Sequence, residues 1–216
     1  MTEGVSQAGM RAGSGSCAGA GVAALAALLL VCLAGCANQQ PTTVPLVYTE
    51  ESFVPPTQGA EGIPVQVEVV DERPDKSRVG EIPSRDSSPD TPIVTANDPD
   101  EVIRKAMEHE LSVRGFNVTP SPVRVNVAVT KLWADYAAAT PIPPRAQADV
   151  SLKVLVIGPH DQVFYSQTLN GQGQHGQVLA SDHAGPALSR ALDDAITNVF
   201  SDEKFTRAII TASRER

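Results

Sequence analysis

The sequence predicts an α+β domain, an antiparallel or mixed β-sheet with helices packed on one face. Three patterns carry that reading. Apolar residues alternate with polar ones at Val65, Val67 and Val69, at Val123 to Val129, and at Ala146 to Val156, which is the period-2 signature of half-buried strands. Ala184, Leu188, Ala191, Leu192, Ala195, Ile196 and Val199 instead follow helical spacing and form one apolar stripe. The order strand, helix, three-strand meander, helix, helix segregates the helices from the sheet.

Ala18 to Ala34 is almost wholly apolar and is preceded by one basic residue, Arg11. A membrane span needs about 20 apolar residues, whereas secretory signal cores are roughly 7–15 residues long and end at small residues. This run is short and ends Leu33-Ala34-Gly35-Cys36, so a signal is the better fit. That tetrapeptide resembles the lipobox of bacterial lipoproteins. The resemblance implies that residues 1–35 are removed, that Cys36 carries a diacylglycerol thioether, and that its new amino group is acylated, with palmitate-type chains as the anchor. Ala37 stands where an inner-membrane retention Asp commonly lies, so the resemblance also implies outer-membrane sorting. Cys17 and Cys32 fall within the removed segment, leaving no thiol for a disulfide. Met10-Arg11 would begin a more ordinary signal than Met1, because Glu3 sits in what should be a positive region.

Residues 36–62 are rich in Pro and polar residues and read as the lipidated Cys followed by a tether. Within it, Val44-Pro45-Leu46-Val47-Tyr48 is apolar enough to dock as an edge strand, where Pro is allowed. Docking and a free tether both remain open. Residues 63–216 read as one α+β domain, which the lipobox resemblance implies is periplasmic.

Its first strand is Ile63 to Val69. Asp71 to Pro92 reads as a long loop or a short irregular hairpin, closed by Ile93-Val94. Asp98 as N-cap, Pro99 at N1 and Glu101 at N3 mark a capping box. The helix it opens runs to Gly115, a left-handed stop. Val123 to Val129 begins a long strand whose apolar set then shifts parity to Leu132, Ala134 and Tyr136, which predicts a bulge near Thr130-Lys131. Thr140 to Pro144 connects it to the return strand, Gly158 to Asp161 turns, and Val163 to Leu169 is a third strand. Strands joined by short turns pair antiparallel. Ser201-Asp202-Glu203 then caps a last short helix carrying Phe205, Ala208 and Ile209.

Lys+Arg total 17 against Asp+Glu 25, a formal charge of -8, and aromatics are 4%. That balance argues against nucleic acid, which needs a basic face or a stacking platform. Gly171-Gln172-Gly173-Gln174-His175-Gly176 matches a dinucleotide fingerprint in letters. It follows a meander strand rather than opening a βαβ unit, so it reads as a flexible strand-to-helix passage with no cofactor. His160, His175 and His183 lie in turn-rich stretches without metal-ligand spacing and read as solvated loop histidines; no metal site is expected. Asp98/Asp100 and Asp193/Asp194 are explained by capping and by a solvated helix face. No nucleophile–base constellation stands out, so no catalytic residue is assigned.

Two places remain as partner-binding candidates. Asp71 and Arg73 follow the first strand, where carboxylate and guanidinium can pair bidentately, either pinning the loop or meeting a partner. Trp133 and Tyr136 end the longest strand, either as an exposed anchor for a protein or glycan or as a cap on the core.

Val67-Glu68-Val69-Val70-Asp71-Glu72-Arg73-Pro74, Val79-Gly80, Leu111-Ser112-Val113-Arg114-Gly115-Phe116, Leu132-Trp133-Ala134-Asp135-Tyr136 and the ending Leu188 to Phe200 together resemble the YajG-type lipoproteins of Gram-negative bacteria. That resemblance implies an outer-membrane lipoprotein facing the periplasm, and no catalytic residue comes with it. The expected function is therefore non-enzymatic: a lipid-anchored domain that binds or assists an envelope component. The alternatives are an auxiliary lipoprotein of an envelope transport system and, third, a periplasmic enzyme.

Overall fold

The longest strands are those in which valines alternate without interruption, and they form the centre of the sheet. The computed structural model describes residues 40–50, 54–84, 88–136, 145–176 and 183–215. Cys36, the apolar segment before it and the Thr140–Pro144 connection lie outside the described residues. Among the described residues there are eight strands: β1 (Thr42–Val44), β2 (Pro64–Asp71), β3 (Gly80–Ile82), β4 (Thr91–Thr95), β5 (Asn117–Val118), β6 (Arg124–Tyr136), β7 (Ala146–Ile157) and β8 (Val163–His175). Three helices join them: α1 (Pro99–Val113), α2 (Ala184–Ser201) and α3 (Glu203–Ala212).

β6, β7 and β8 pair antiparallel in sequence order. The other edge of β6 is shared by two parallel strands. β2 lies along its first half, with Gln66 opposite Arg124 and Asp71 opposite Val129, and β3 meets its second half at Gly80–Ala134. β4 pairs antiparallel with β3, β1 parallel with β4, and β5 parallel with β2. The fold is thus a mixed α+β sheet. The register of β6 shifts between Val129 and Lys131, where the parity change predicted a bulge. A second shift, between Val156 and Ile157, left no such trace in the sequence.

Asp71 to Pro92 contains a hairpin, β3–β4, and the run at Ile93-Val94 is its second strand. Asp98 caps α1 by accepting from the Asp100 amide, but Glu101 turns along the helix to Arg104 and Lys105 instead of completing a capping box. Two flexible cations within reach of its carboxylate outcompete a single backbone donor. Gly115, at φ +99, ends α1 in the left-handed region. The Phe116 and Gly115 amides donate back to Leu111 and Ser112, the paired bonds of a Schellman stop.

All three helices cover one sheet face. Every residue of the predicted α2 stripe is buried, so its destination is the sheet of its own domain. Gly171 and Gly173 explain how closely it docks. A Cβ on Gly173 would stand 2.0 Å from the Ala187 carbonyl oxygen, and one on Gly171 would stand 2.1 Å from that of Ala191. The helix answers with Ala187, Ala191 and Ala195, spaced every fourth residue on that side. The glycine motif is therefore not a flexible passage; its first two glycines lie inside β8 and let a helix approach. Along the free edge of β8, Asp194 accepts from the Gln172 amide while Asn198 and Arg190 donate to the carbonyls of Asn170 and Gln174. Side chains of α2 thus occupy backbone groups that an edge strand would expose.

The segment before β2 is packed onto the domain. β1 forms one sheet edge, and Val44 and Leu46 are fully buried. Asn97 exchanges two hydrogen bonds with the Leu46 backbone, and the Val47 and Thr49 amides reach Ser189 and Asp193 on α2. Tyr48 donates a 2.6 Å bond to Glu110, which also pairs with Arg114 and is 1% exposed. The Arg114 guanidinium in turn lies 4.2 Å from the Phe200 ring centre. Of the two readings left open for Val44–Tyr48, the structure contains the docked one.

Candidate functional site

Helices cover one face of the sheet, so the opposite face of β2, β6, β7 and β8 is the broadest surface these strands present. Strand alternation sends Glu68 and Val70 of β2, Asn126 and Ala128 of β6, and Lys153 and Leu155 of β7 to this face. Register makes neighbours of them: Glu68–Asn126–Leu155 form one row and Val70–Ala128–Lys153 the next. Between the rows lies a hollow of about 260 Å³, lined by these six residues with Glu72 and Val127. Ala128 is the small residue that lowers its floor. Val70 is 56% exposed, while the Asn126 side-chain oxygen is buried without a hydrogen-bond partner. The hollow thus offers one acceptor, apolar walls, and charges of both signs at its rim.

Trp133 lies on this same face, toward the other end of β6. Its indole N–H donates to Asp135 at 2.6 Å, and the Arg78 guanidinium lies 5.9 Å from its ring centre. Arg78 also pairs with Asp75 and Glu81, and Lys131 with Asp149 at 2.8 Å. Tyr136 has the parity of Leu132 and Ala134 and packs against the core. Beyond the bulge the strand alternates regularly, so Trp133 and Tyr136, three residues apart, lie on opposite faces and do not form one patch.

Asp71 and Arg73 are turned inward, and Arg73 is 7% exposed. The Arg73 Nε lies 3.0 and 3.1 Å from the two Asp71 oxygens, and Nη2 makes a third contact at 2.8 Å. Nη1 donates to the Arg78 carbonyl and, at 3.4 Å, to that of Leu132. These carbonyls flank the break where β2 leaves the edge of β6 and β3 has yet to join it. Arg73 therefore serves backbone acceptors that neither strand reaches, which is a pinning geometry. Burial opposes ionisation of Asp71, but the Arg73 hydrogen bonds and charge outweigh it and hold the carboxyl below its ordinary value. Asp100 moves the other way: burial raises it, and the neighbouring charges of Asp71 and Asp98 add to the rise.

The histidines do not share one environment. His160 is exposed in the β7–β8 turn, but His183 at the start of α2 is 4% exposed, and its ring centre is 5.9 Å from that of His175. The reading as solvated loop residues fails for His183, because the helix carries it into the core edge. Among the described residues no group of three or more His, Cys, Asp or Glu could hold a metal ion.

Sequence reasoning missed the hollow. Its outward positions are legible strand by strand, but only the parallel pairing of β2 with β6 makes them one surface.

A family model described as uncharacterized lipoprotein matches residues 53–210. Among solved structures, a Xanthomonas campestris protein assigned to the family DUF330 is similar at 14% identity and a TM-score of 0.53, covering 77% of this chain and 96% of that one. A minor lipoprotein from Acinetobacter baumannii is 11% identical with a TM-score of 0.39, covering 77% and 94%. The first of these likenesses supports the fold. A search of curated proteins gives no match.

Proposed function

This chain belongs to the family of uncharacterized lipoproteins, and from that premise we propose that acyl chains on Cys36 anchor it in the outer membrane, facing the periplasm. There its domain binds or assists an envelope component without catalysing a reaction. One observation carries the reading: Leu33-Ala34-Gly35-Cys36 closes an apolar segment immediately ahead of a domain whose first strand begins at Thr42. No helix among the described residues is long and apolar enough to cross a membrane. A single acyl chain holds a protein only marginally, at about 0.8 kcal/mol per buried CH₂, whereas two or three hold it stably. The open sheet face, with its hollow at Asn126 and Ala128, supports binding as the domain's role.

Cys36→Ala tests the anchor. The variant should keep its signal and lose acylation, and membranes separated by density should no longer show the mature protein in the outer-membrane fraction. Normal maturation with unchanged outer-membrane attachment would overturn the proposal.

A further inference from the structure

We infer that the domain stands on end at its own membrane, with the Tyr136 end of the sheet against the lipid headgroups and the hollow facing away from them. The inference rests on the anchor proposed for Cys36. Its geometry comes from the docked N-terminal segment. β1 begins at Thr42, and register places Thr42, Ile93, Gly80 and Ala134 in one row across the sheet. Trp133 lies in the adjacent row. Because β1 runs parallel to β4 and antiparallel to β3 and β6, the chain preceding Thr42 leaves toward the end of the sheet where β6 finishes and β7 starts. The chain from Cys36 to Thr42 spans at most about 22 Å, at roughly 3.3–3.6 Å per residue. A free tether extending to Ile63 would have set no such limit.

The sheet is taller than that reach. At about 3.3 Å per residue, β6 carries Arg124 roughly 40 Å from Tyr136 and roughly 30 Å from Trp133. Asn126 in the hollow stands about 25 Å above the Thr42–Ala134 row by the same measure. The chemistry of the lower end suits the contact. Trp133 and Tyr136 are half-buried there, and both residue types favour the membrane–water interface. The cations beside Trp133 are already paired, Arg78 with Asp75 and Glu81, and Lys131 with Asp149. The orientation is therefore set by the short tether, with one aromatic residue on each face of the sheet at that end, rather than by net attraction to anionic lipid.

The chain contains one tryptophan, so its emission reports Trp133 alone. The full chain, matured and lipidated in cells, is reconstituted in phosphatidylethanolamine/phosphatidylglycerol vesicles carrying dansyl-phosphatidylethanolamine. Energy transfer to the headgroup dansyl is compared with that from a Trp133→Phe/His160→Trp chain, whose donor sits in the exposed turn at the opposite end. We expect at least threefold more efficient transfer from Trp133. Equal or reversed efficiencies from vesicle-bound protein overturn the orientation and leave the anchor standing. Absence of acyl mass on Cys36, with no vesicle binding, overturns the anchor and the orientation with it. If the double variant fails to fold, a His160→Cys chain labelled at its one free thiol replaces it, with rhodamine headgroups as acceptor. A Gln147→Cys chain, labelled identically at the exposed lower end of β7, is the comparison, and transfer from the two labels of equal efficiency is again the overturning result.

Discussion

Replacing Gly173 with alanine adds one methyl group at the closest approach of α2 to the sheet. That Cβ would stand 2.0 Å from the Ala187 carbonyl oxygen and 2.6 Å from the Ala191 amide nitrogen, where ordinary contact begins at 3.4 Å. Both neighbours are backbone, so no rotamer change relieves the overlap; the helix must withdraw by more than an ångström. Withdrawal loosens Leu188, Leu192 and Ile196, which are fully buried. Overpacking of this kind typically costs about 1–3 kcal/mol. Loss of glycine's freedom in the unfolded chain returns roughly 0.4–1 kcal/mol. With backbone on both sides of the clash the cost falls at the top of its range, so we expect a net loss of about 2 kcal/mol, and roughly 4–8 °C in Tm for a domain of this size. Urea melts of the chain from Gln40 onward measure it, with exposed Thr168→Ala as the control expected to stay within about 0.5 kcal/mol. Gly171→Ala should behave like Gly173→Ala. Midpoints for both variants equal to the parent's would mean that α2 does not sit on β8 at this distance.

Four further outcomes follow from other contacts in the domain. Leu192→Ala should lower stability by roughly 2–5 kcal/mol in the same melts, and Leu192→Asp with an unchanged midpoint would contradict burial of the stripe. Arg73→Ala strands the Asp71 carboxylate and the Leu132 carbonyl, a loss of about 3–5 kcal/mol at neutral pH; Arg73→Lys should rescue little, because an ammonium cannot reproduce the fork. The Asp71 carboxyl titrates below its unfolded value, so its contribution is present above about pH 4 and is lost as pH falls through the folded value. Asp71→Asn should flatten that acid limb, measured as midpoint against pH. Truncation to Ile63 removes Val44, Leu46 and the Tyr48 latch, each buried aliphatic side chain contributing roughly 1.5–3 kcal/mol. That shorter chain should melt several kcal/mol below one starting at Gln40, and equal midpoints would mean that the strap is not docked.

The meander was legible because its strands are neighbours in sequence and each keeps a period-2 pattern long enough to fix its buried face. The bulge at Thr130 was legible for the same reason: a one-residue insertion moves the whole apolar set to the other parity. The parallel contacts β2–β6, β3–β6 and β1–β4 were not, since the paired segments lie far apart in the chain and nothing local encodes which edge each takes. Gly171 and Gly173 mislead by chemistry rather than by accident. A phosphate loop and a tightly docked helix both need a backbone without Cβ, and only the facing Ala187, Ala191 and Ala195 tell the second case from the first. Of the candidate site, Asp71–Arg73 pairing was readable from adjacency. The carbonyls that Arg73 serves, Arg78 ahead of β3 and Leu132 within β6, come together only in three dimensions. The hollow escaped notice because Glu68, Asn126 and Leu155 are ordinary outward residues until register brings them together.

The most direct measurement of the central claim is intact-mass and N-terminal peptide analysis of the protein extracted from membranes. A lipid-anchored lipoprotein predicts a chain beginning at Cys36, with diacylglycerol on sulfur and an acyl group on the terminal amine. A mature chain with an unmodified Cys36 thiol, or one that retains residues 1–35, would contradict it.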